Sequence, residues 1–307
     1  MNFDWSQTAD IDEDDVVYRS VPEGFVPRVT VGMPTFNRAD TIRRALTSLA
    51  QQRFRDFVLV ISDNAGRDPL TLEAVKEFQS RLPAVILVAQ AENKGALSNF
   101  HYLLSVAKTD LFMWLADDDE ITDSYLEDLV ALLDNDSRAV TAFGYGRLMK
   151  GPELQTPQPQ HIERNTLKRV VKFVSGPSDD FFFYGLHRTA AMRRCHFRDF
   201  LPPNQGVLTN WCYVFLFDMV LQGPIAYAPN AGWICHGDVE KQYHKAMALG
   251  MRDRLKTLIR RLNVYGLYCA KAFNKDPMLL PPVFVASLYG LFSDVALAAK
   301  RILARLR

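Results

Sequence analysis

Through the first half of the chain, short apolar runs alternate with stretches in which apolar residues recur every three or four positions. RVTVGM (28–33), FVLVI (57–61), AVILVA (84–89) and LFMWL (111–115) read as buried strands. Between them, residues 40–52 place Ile42, Ala45, Leu46 and Leu49 on one side of a helix. Leu72, Val75 and Phe78 do the same in a second helix, and Leu97, Phe100, Leu103 and Leu104 in a third. This alternation predicts an α/β fold with a mostly parallel sheet covered by helices on both faces. Ligands of such sheets bind beyond the carboxyl ends of the strands. The polar loops PTFNR (34–38), SDNAG (62–66), ENKG (92–95) and ADDDE (116–120) all fall there.

The pattern then loosens. AVTAFGYGRL (139–148) is followed by a Pro- and Gln-rich connection over 150–160. A helix is expected over 210–223, short strands over 224–228 and 232–235, and helices from about residue 239 to the end. Residues 1–27 are acidic, carry Pro22 and Pro27, and read as a loose arm. The expected organisation is an arm (1–27), an α/β domain (28–238, divided at 148/149) and a helical C-terminal extension (239–307).

A chain of 307 residues with 48% hydrophobic content can bury a sizeable core. The formal net charge of +1 hides an asymmetry, because residues 239–307 carry 13 Lys/Arg against 4 Asp/Glu, leaving −8 for residues 1–238. Cys195, Cys212, Cys235 and Cys269 form no CxxC pair and read as reduced packing thiols. The N-terminus lacks the apolar core of a signal peptide, so a cytoplasmic location is expected. No uninterrupted apolar run is long enough for a membrane span.

The absence of GxGxxG after the first strand disfavours a dinucleotide site, and no GxxxxGK[ST] phosphate loop or GxSxG nucleophile turn is present. The candidate chemistry lies in the strand-end loops. Adjacent Asp117, Asp118 and Asp119 repel one another unless a positive charge sits among them. They are either a solvated turn at a helix N-terminus or hard ligands for Mg²⁺ or Mn²⁺. Asp63 is placed to accept from a ribose or base, or is an ordinary turn residue. Gly95 suits a positive φ. His236, just after a strand, is a third candidate metal ligand or a structural histidine.

Taken together, VGMPTFNRADTIRRALTSLAQQ, FVLVISDNAG, ENKGALSNFHYLL and MWLADDDEI, in that order, resemble the inverting glycosyltransferases of family 2, which have the GT-A fold. The resemblance covers about residues 28–148. It implies a nucleoside-diphosphate sugar donor, UDP- or dTDP-linked, with Pro34, Thr35, Asn37 and Arg38 at the nucleotide loop. Asp63 would meet the base or ribose, and Asn93, Gly95 and Asp117 would lie near the nucleotide. The acids would form a DxD-type divalent-metal site with Asp118 the direct ligand, Asp119 or Asp117 assisting, and His236 near the diphosphate.

Members of that family commonly carry a Glu-Asp pair at the start of the helix before the last strand. Here Thr209, Asn210 and Trp211 stand there, so the general base falls to Asp180, then Asp179 or Asp218. The resemblance further implies a glycan or lipid-linked acceptor and a role in bacterial surface polysaccharide synthesis. The missing acids leave a nucleotide-sugar-binding scaffold as the alternative. No nucleic acid is expected among the partners. The C-terminal helices, basic and amphipathic with Leu288, Phe292, Val295, Ile302 and Leu306 on one side, suit either packing on the domain or peripheral contact with the inner face of a membrane.

Overall fold

The computed structural model describes residues 5–66, 69–148, 163–176, 181–195, 211–236 and 251–303. In chain order the strands are β1 (Val16–Ser20), β2 (Val29–Thr35), β3 (Phe57–Asp63), β4 (Val85–Ala89), β5 (Leu111–Trp114), β6 (Glu120–Ile121), β7 (Thr141–Leu148), β8 (Leu186–Arg188) and β9 (Ile225–Cys235). The helices are α1 (Ala39–Ala50), α2 (Pro69–Phe78), α3 (Ala96–Val106), α4 (Tyr125–Asn135), α5 (Thr166–Ser175), α6 (Thr189–Met192), α7 (Trp211–Gln222), α8 (Met251–Lys275) and α9 (Leu280–Leu303). The nine strands form one sheet in the order β1-β4-β3-β2-β5-β8-β7-β9-β6. Its centre, β4-β3-β2-β5, is parallel, as the alternating pattern requires, while β1, β8 and β6 are inserted antiparallel.

Each face of the sheet carries its own core. On one face Val29, Val31 and Met33 of β2 pack with Ile42, Leu46 and Leu49 of α1 and with Leu126 and Leu129 of α4. On the other, Phe112 and Trp114 of β5 meet Leu103 of α3, Phe173 of α5 and Phe215 and Phe217 of α7. Gly32 is fixed by this second packing, since a Cβ there would lie 2.8 Å from Phe112 Cζ and 3.1 Å from Leu103 Cβ. All four cysteines are free thiols, Cys195 fully enclosed beside Met219 and Gln222.

Three expectations are corrected. The acidic arm is docked: β1 pairs with β4, covering an edge that would otherwise expose unpaired backbone groups. Ahead of it, buried Trp5 meets His101, Trp114 and Phe215 edge-on or tilted, and Ala9 N donates to Ser105 O. The two short strands expected over 224–235 are one strand, bulged where β7 shifts register between Phe143 and Tyr145. The C-terminal extension, expected to be helical throughout from about residue 239, is broken by the short turn over 276–279, and its helices take the packed placement, α8 on α7 and α9 on α5. The connection over 150–160 lies outside the described residues.

Candidate functional site

Parallel pairing brings the strand ends together. Thr35, last in β2, is level with Asp63, last in β3, and β5 lies on the other side of β2 with Gly32 opposite Trp114. The chain leaving β5 therefore carries Asp117 to Thr35. Thr35 Oγ1 donates to Asp117 Oδ2 at 2.6 Å. Arg38, just before α1, bridges two of the acids, with Nη1 3.2 Å from Asp117 Oδ1 and 3.0 Å from Asp118 Oδ2. Arg44, farther along α1, donates to the Asp118 carbonyl and approaches Glu120 at 3.4 Å. Loops at the ends of β2 and β5 thus converge on one charged group, with the end of β3 alongside.

Burial sets the electrostatics. Asp117 is enclosed, and desolvation raises its pKa although Thr35 and Arg38 pull the other way. Around Arg38, burial opposes the charge, but Asp117 and Asp118 outweigh it and its pKa rises. Asp119 is pushed up to about 7, first by burial and then by the charge of Asp118, against the hydrogen bond from the His236 amide and the neighbouring Cys235 and Trp233 side chains.

The third acid faces away from the first two. Asp119 Oδ1 accepts from His236 N at 3.2 Å, and the following strand β6 pairs with β9 through Glu120 opposite Ile234. His236 Nε2 lies 2.8 Å from Glu120 Oε1, a charge contact when the ring is protonated but without hydrogen-bond alignment. Asp118, Asp119 and His236, the expected metal ligands, are therefore not gathered into one set in this structure. Among the described residues no group of three His, Cys, Asp or Glu is placed to hold a metal. What fits a hard divalent ion is the Asp117–Asp118 pair, whose carboxylates already share one cation, the Arg38 guanidinium.

The second loop is a rigid brace. Asp63 Oδ1 accepts from Gly66 N at 2.8 Å, and a Cβ at Gly66 would come within 2.2 Å of that oxygen. Asn64 Nδ2 donates to Asn93 Oδ1, which also accepts from Gly95 N, while Asn64 Oδ1 accepts from Lys94 N. Asn93 and Gly95 thus tie the loop before α3 to the loop after β3. Gly95 has the positive φ its sequence context suggested, 86°. Asn37 (φ 52°) and Ala65 (φ 61°) are the non-glycine residues with positive φ among those described, and both sit in these loops.

Of the base candidates, Asp179 and Asp180 lie outside the described residues, as do Thr209 and Asn210. Asp218 is set apart from the site. It sits in the later half of α7, which leads into the start of β9 rather than its end, and it pairs with Lys271 of α8 at 2.6 Å. A carboxylate held by an ammonium ion between two helices is accounted for as a structural ion pair, so Asp218 is not carried forward as the proposed base. Sequence reasoning missed Arg44, Glu120 and the Asn64–Asn93 brace. Only adjacency to the acidic triplet marked Glu120, and nothing in local spacing marked the others.

A parallel sheet whose strand-end loops gather a hydroxyl, two carboxylates and a bridging guanidinium presents a candidate site at the edge where sheets of this kind bind their ligands. The chain belongs to glycosyl transferase family 2, whose sequence profile matches residues 30–194, more than half of its length. It is 28% identical over 106 residues to the GalNAc(5)-diNAcBac-PP-undecaprenol beta-1,3-glucosyltransferase of Campylobacter jejuni, a match taking in 34% of each chain. It therefore spans about a third of that relative. The fold is that of S. aureus TarS residues 1–349, with a TM-score of 0.63 at 19% identity over 87% of this chain and 72% of that one. The complex of TarS 1–349 with UDP-GlcNAc gives 0.64, again at 19% identity, over 87% and 73% of the two chains. The Pyrobaculum calidifontis mannosyltransferase PcManGT, solved with GDP-Man and Mn²⁺, is at 0.50 and 19% identity, over 93% and 81%.

Proposed function

We propose that this chain is a divalent-metal-dependent, inverting glycosyltransferase that moves a sugar from a nucleoside diphosphate, UDP- or dTDP-linked, to a hydroxyl of a glycan or lipid-linked glycan. The observation that carries the reading is the junction of Thr35, Arg38, Asp117 and Asp118 beside Asp63 at the carboxyl ends of β2, β5 and β3. Family membership gives it a context, as do nucleotide sugars in two structural neighbours and the lipid-linked acceptor in the name of the C. jejuni relative.

Mn²⁺ or Mg²⁺ at Asp118 and Asp117 would supply positive charge for the departing diphosphate. Asp63 and the braced Asn64–Asn93 loops hold the nucleoside. Arg38, released from its two carboxylates when the acids find another cation, adds a positive charge beside the phosphates. A carboxylate on the opposite face, Asp180 by preference and Asp179 otherwise, takes the acceptor hydroxyl's proton as that oxygen attacks the anomeric carbon. The leaving diphosphate departs from the other side, which inverts the centre. Asp119 holds the end of β9, and with it His236, against the acidic loop.

The test is a thermal-shift series with UDP-, dTDP- and GDP-sugars, each with and without Mn²⁺. A shift with one nucleotide class that grows with Mn²⁺ and shrinks in Asp118→Asn supports the reading. Absence of any shift removes it. Donor hydrolysis that survives in Asp180→Asn and Asp179→Asn moves the base elsewhere, while donor binding without hydrolysis or transfer favours the scaffold reading.

A further inference from the structure

The first half of α9 is built against the usual rule of helix burial. Its inward side is made of small or slim residues, Val283, Ala286, Ser287 and Gly290. Gly290 is so close to α8 that a Cβ would lie 2.5 Å from Tyr265 Oη. The bulky apolar side chains point out: Phe284 is 52% exposed, Val285 65% and Tyr289 64%, with Leu288 and Pro281 beside them and Met278 in the turn before. No charged residue occurs from 277 to 293. A helix apolar on all sides is normally covered on all sides, and contiguous exposed patches of this kind mark contact surfaces.

We propose that this face of α9 lies flat in the interface of an anionic lipid membrane. Charge selects the occupant. The hairpin from 251 to 303 carries nine Lys/Arg against three Asp/Glu, so two copies of it repel each other while an anionic surface attracts it. Lys275 precedes the apolar ridge, and Lys300 and Arg301 follow it near the end of α9. Residues 1–238, at −8, are held off by the same field, which orients the protein with this hairpin down. The ridge from Met278 to Tyr289 is about 17 Å long at the helical rise. Among the described residues no helix is long and apolar enough to cross a membrane, so the contact is in-plane. The membrane-facing side is thereby centred on Phe284–Tyr289 of α9. The inference rests on this surface alone and not on the reading of the donor site.

Co-sedimentation of the full chain with phosphatidylcholine vesicles, with and without phosphatidylglycerol, tests it. Binding should appear with the anionic lipid and weaken as salt is raised. It should fall more than about tenfold in the double variant Val285→Glu, Tyr289→Glu, whose exposed positions leave the melting temperature unchanged. Wild-type protein that fails to sediment with anionic vesicles overturns the proposal, and so does a double variant that binds as well as wild type. A concentration-dependent dimer that forms without lipid and dissolves in the double variant assigns the face to protein instead. UDP-sugar binding, measured on the same variant, should be unaffected and reports separately on the donor site.

Discussion

The strand-end loops and the α8–α9 hairpin are opposite departures from the rule that charge goes outside and apolar surface inside. At the loops, three aspartates follow a buried strand, and two of them, Asp117 and Asp119, are almost wholly enclosed. At the hairpin, phenylalanine, valine and tyrosine side chains stand in water. Each arrangement costs free energy in the isolated protein, and each marks a place where something else is meant to complete the structure. A buried acid calls for a cation, and an uncovered apolar ridge calls for an apolar medium. The interface joining α7 to α8 is complete in itself, because Asp218 already has Lys271.

That difference gives the first and largest prediction. Asp118→Asn should lower turnover by about a hundredfold or more and weaken Mn²⁺-dependent UDP binding, because it removes a charge that acts on the diphosphate. Asp218→Asn, measured alongside, should keep turnover within about twofold. If the two variants lose equal activity, the distinction between a functional and a structural acid fails and Asp218 returns as a base.

Breaking the complete pair from its other side should show in stability. Lys271→Ala leaves a largely buried carboxylate at the wall of a cavity that Val214, Leu221 and Leu267 share with Arg194 and Lys275, at a cost of about 3 kcal/mol at most. Replacing both partners with apolar residues should recover most of that loss. Urea unfolding of the single and double variants checks it, and a single variant as stable as the wild type would show that the pair is solvated.

Two buried groups, one in the core beneath the site and one in the acidic loop, also respond oppositely to pH. His187 is fully buried between Thr141 Oγ1 and the Phe183 carbonyl, which fixes its proton on Nε2, and burial lowers its pKa to about 4. Its contribution is complete above the unfolded value near 6.5 and is lost as pH falls from there toward 4, by roughly 3 kcal/mol in all. Asp119, raised to about 7, has the reverse sign: its contribution is full below about 4 and is lost as pH rises toward 7. Asp119→Asn should therefore be more stable than wild type at pH 8, by a few kcal/mol at most, and about equal at pH 4. Melting curves across that range decide it. A constant difference between the two proteins would mean that Asp119 is not held protonated by its surroundings.

Much of the donor half was legible because its signals are local. β2, β3, β4 and β5 are apolar runs, and α1 buries the residues its periodicity named, Ile42, Ala45, Leu46 and Leu49. Asp117 falls beside Thr35 because register in a parallel sheet carries strand ends to one edge. Side-chain direction was not legible. Asp117, Asp118 and Asp119 are consecutive, yet the first two turn to Arg38 and the third to the His236 amide, and only the pairing of β6 with β9 decides that. Trp5 was missed because one aromatic residue in a polar arm has no period. On α9, Leu288 was expected on an apolar side, and periodicity alone says nothing of whether such a side is covered.

The smallest expected effect concerns the strain kept in the site loops. Ala65 holds φ at 61° with its amide on the Asp63 carbonyl, one residue before the glycine that caps the Asp63 carboxylate. A left-handed conformation costs an ordinary residue roughly 1–2 kcal/mol, while glycine gives back about 0.7 kcal/mol through the greater freedom of the unfolded chain. Ala65→Gly should therefore stabilise the protein by about 0.5 kcal/mol. Asn37 has nearly the same φ, 52°, but asparagine tolerates that region, so Asn37→Gly should gain nothing and lose slightly to chain entropy. Chemical denaturation of the two variants separates the cases. An Ala65→Gly protein no more stable than Asn37→Gly would mean that the loop after β3 is not held in its strained form before a ligand arrives, and that the brace of Asn64 and Asn93 forms only around the nucleotide.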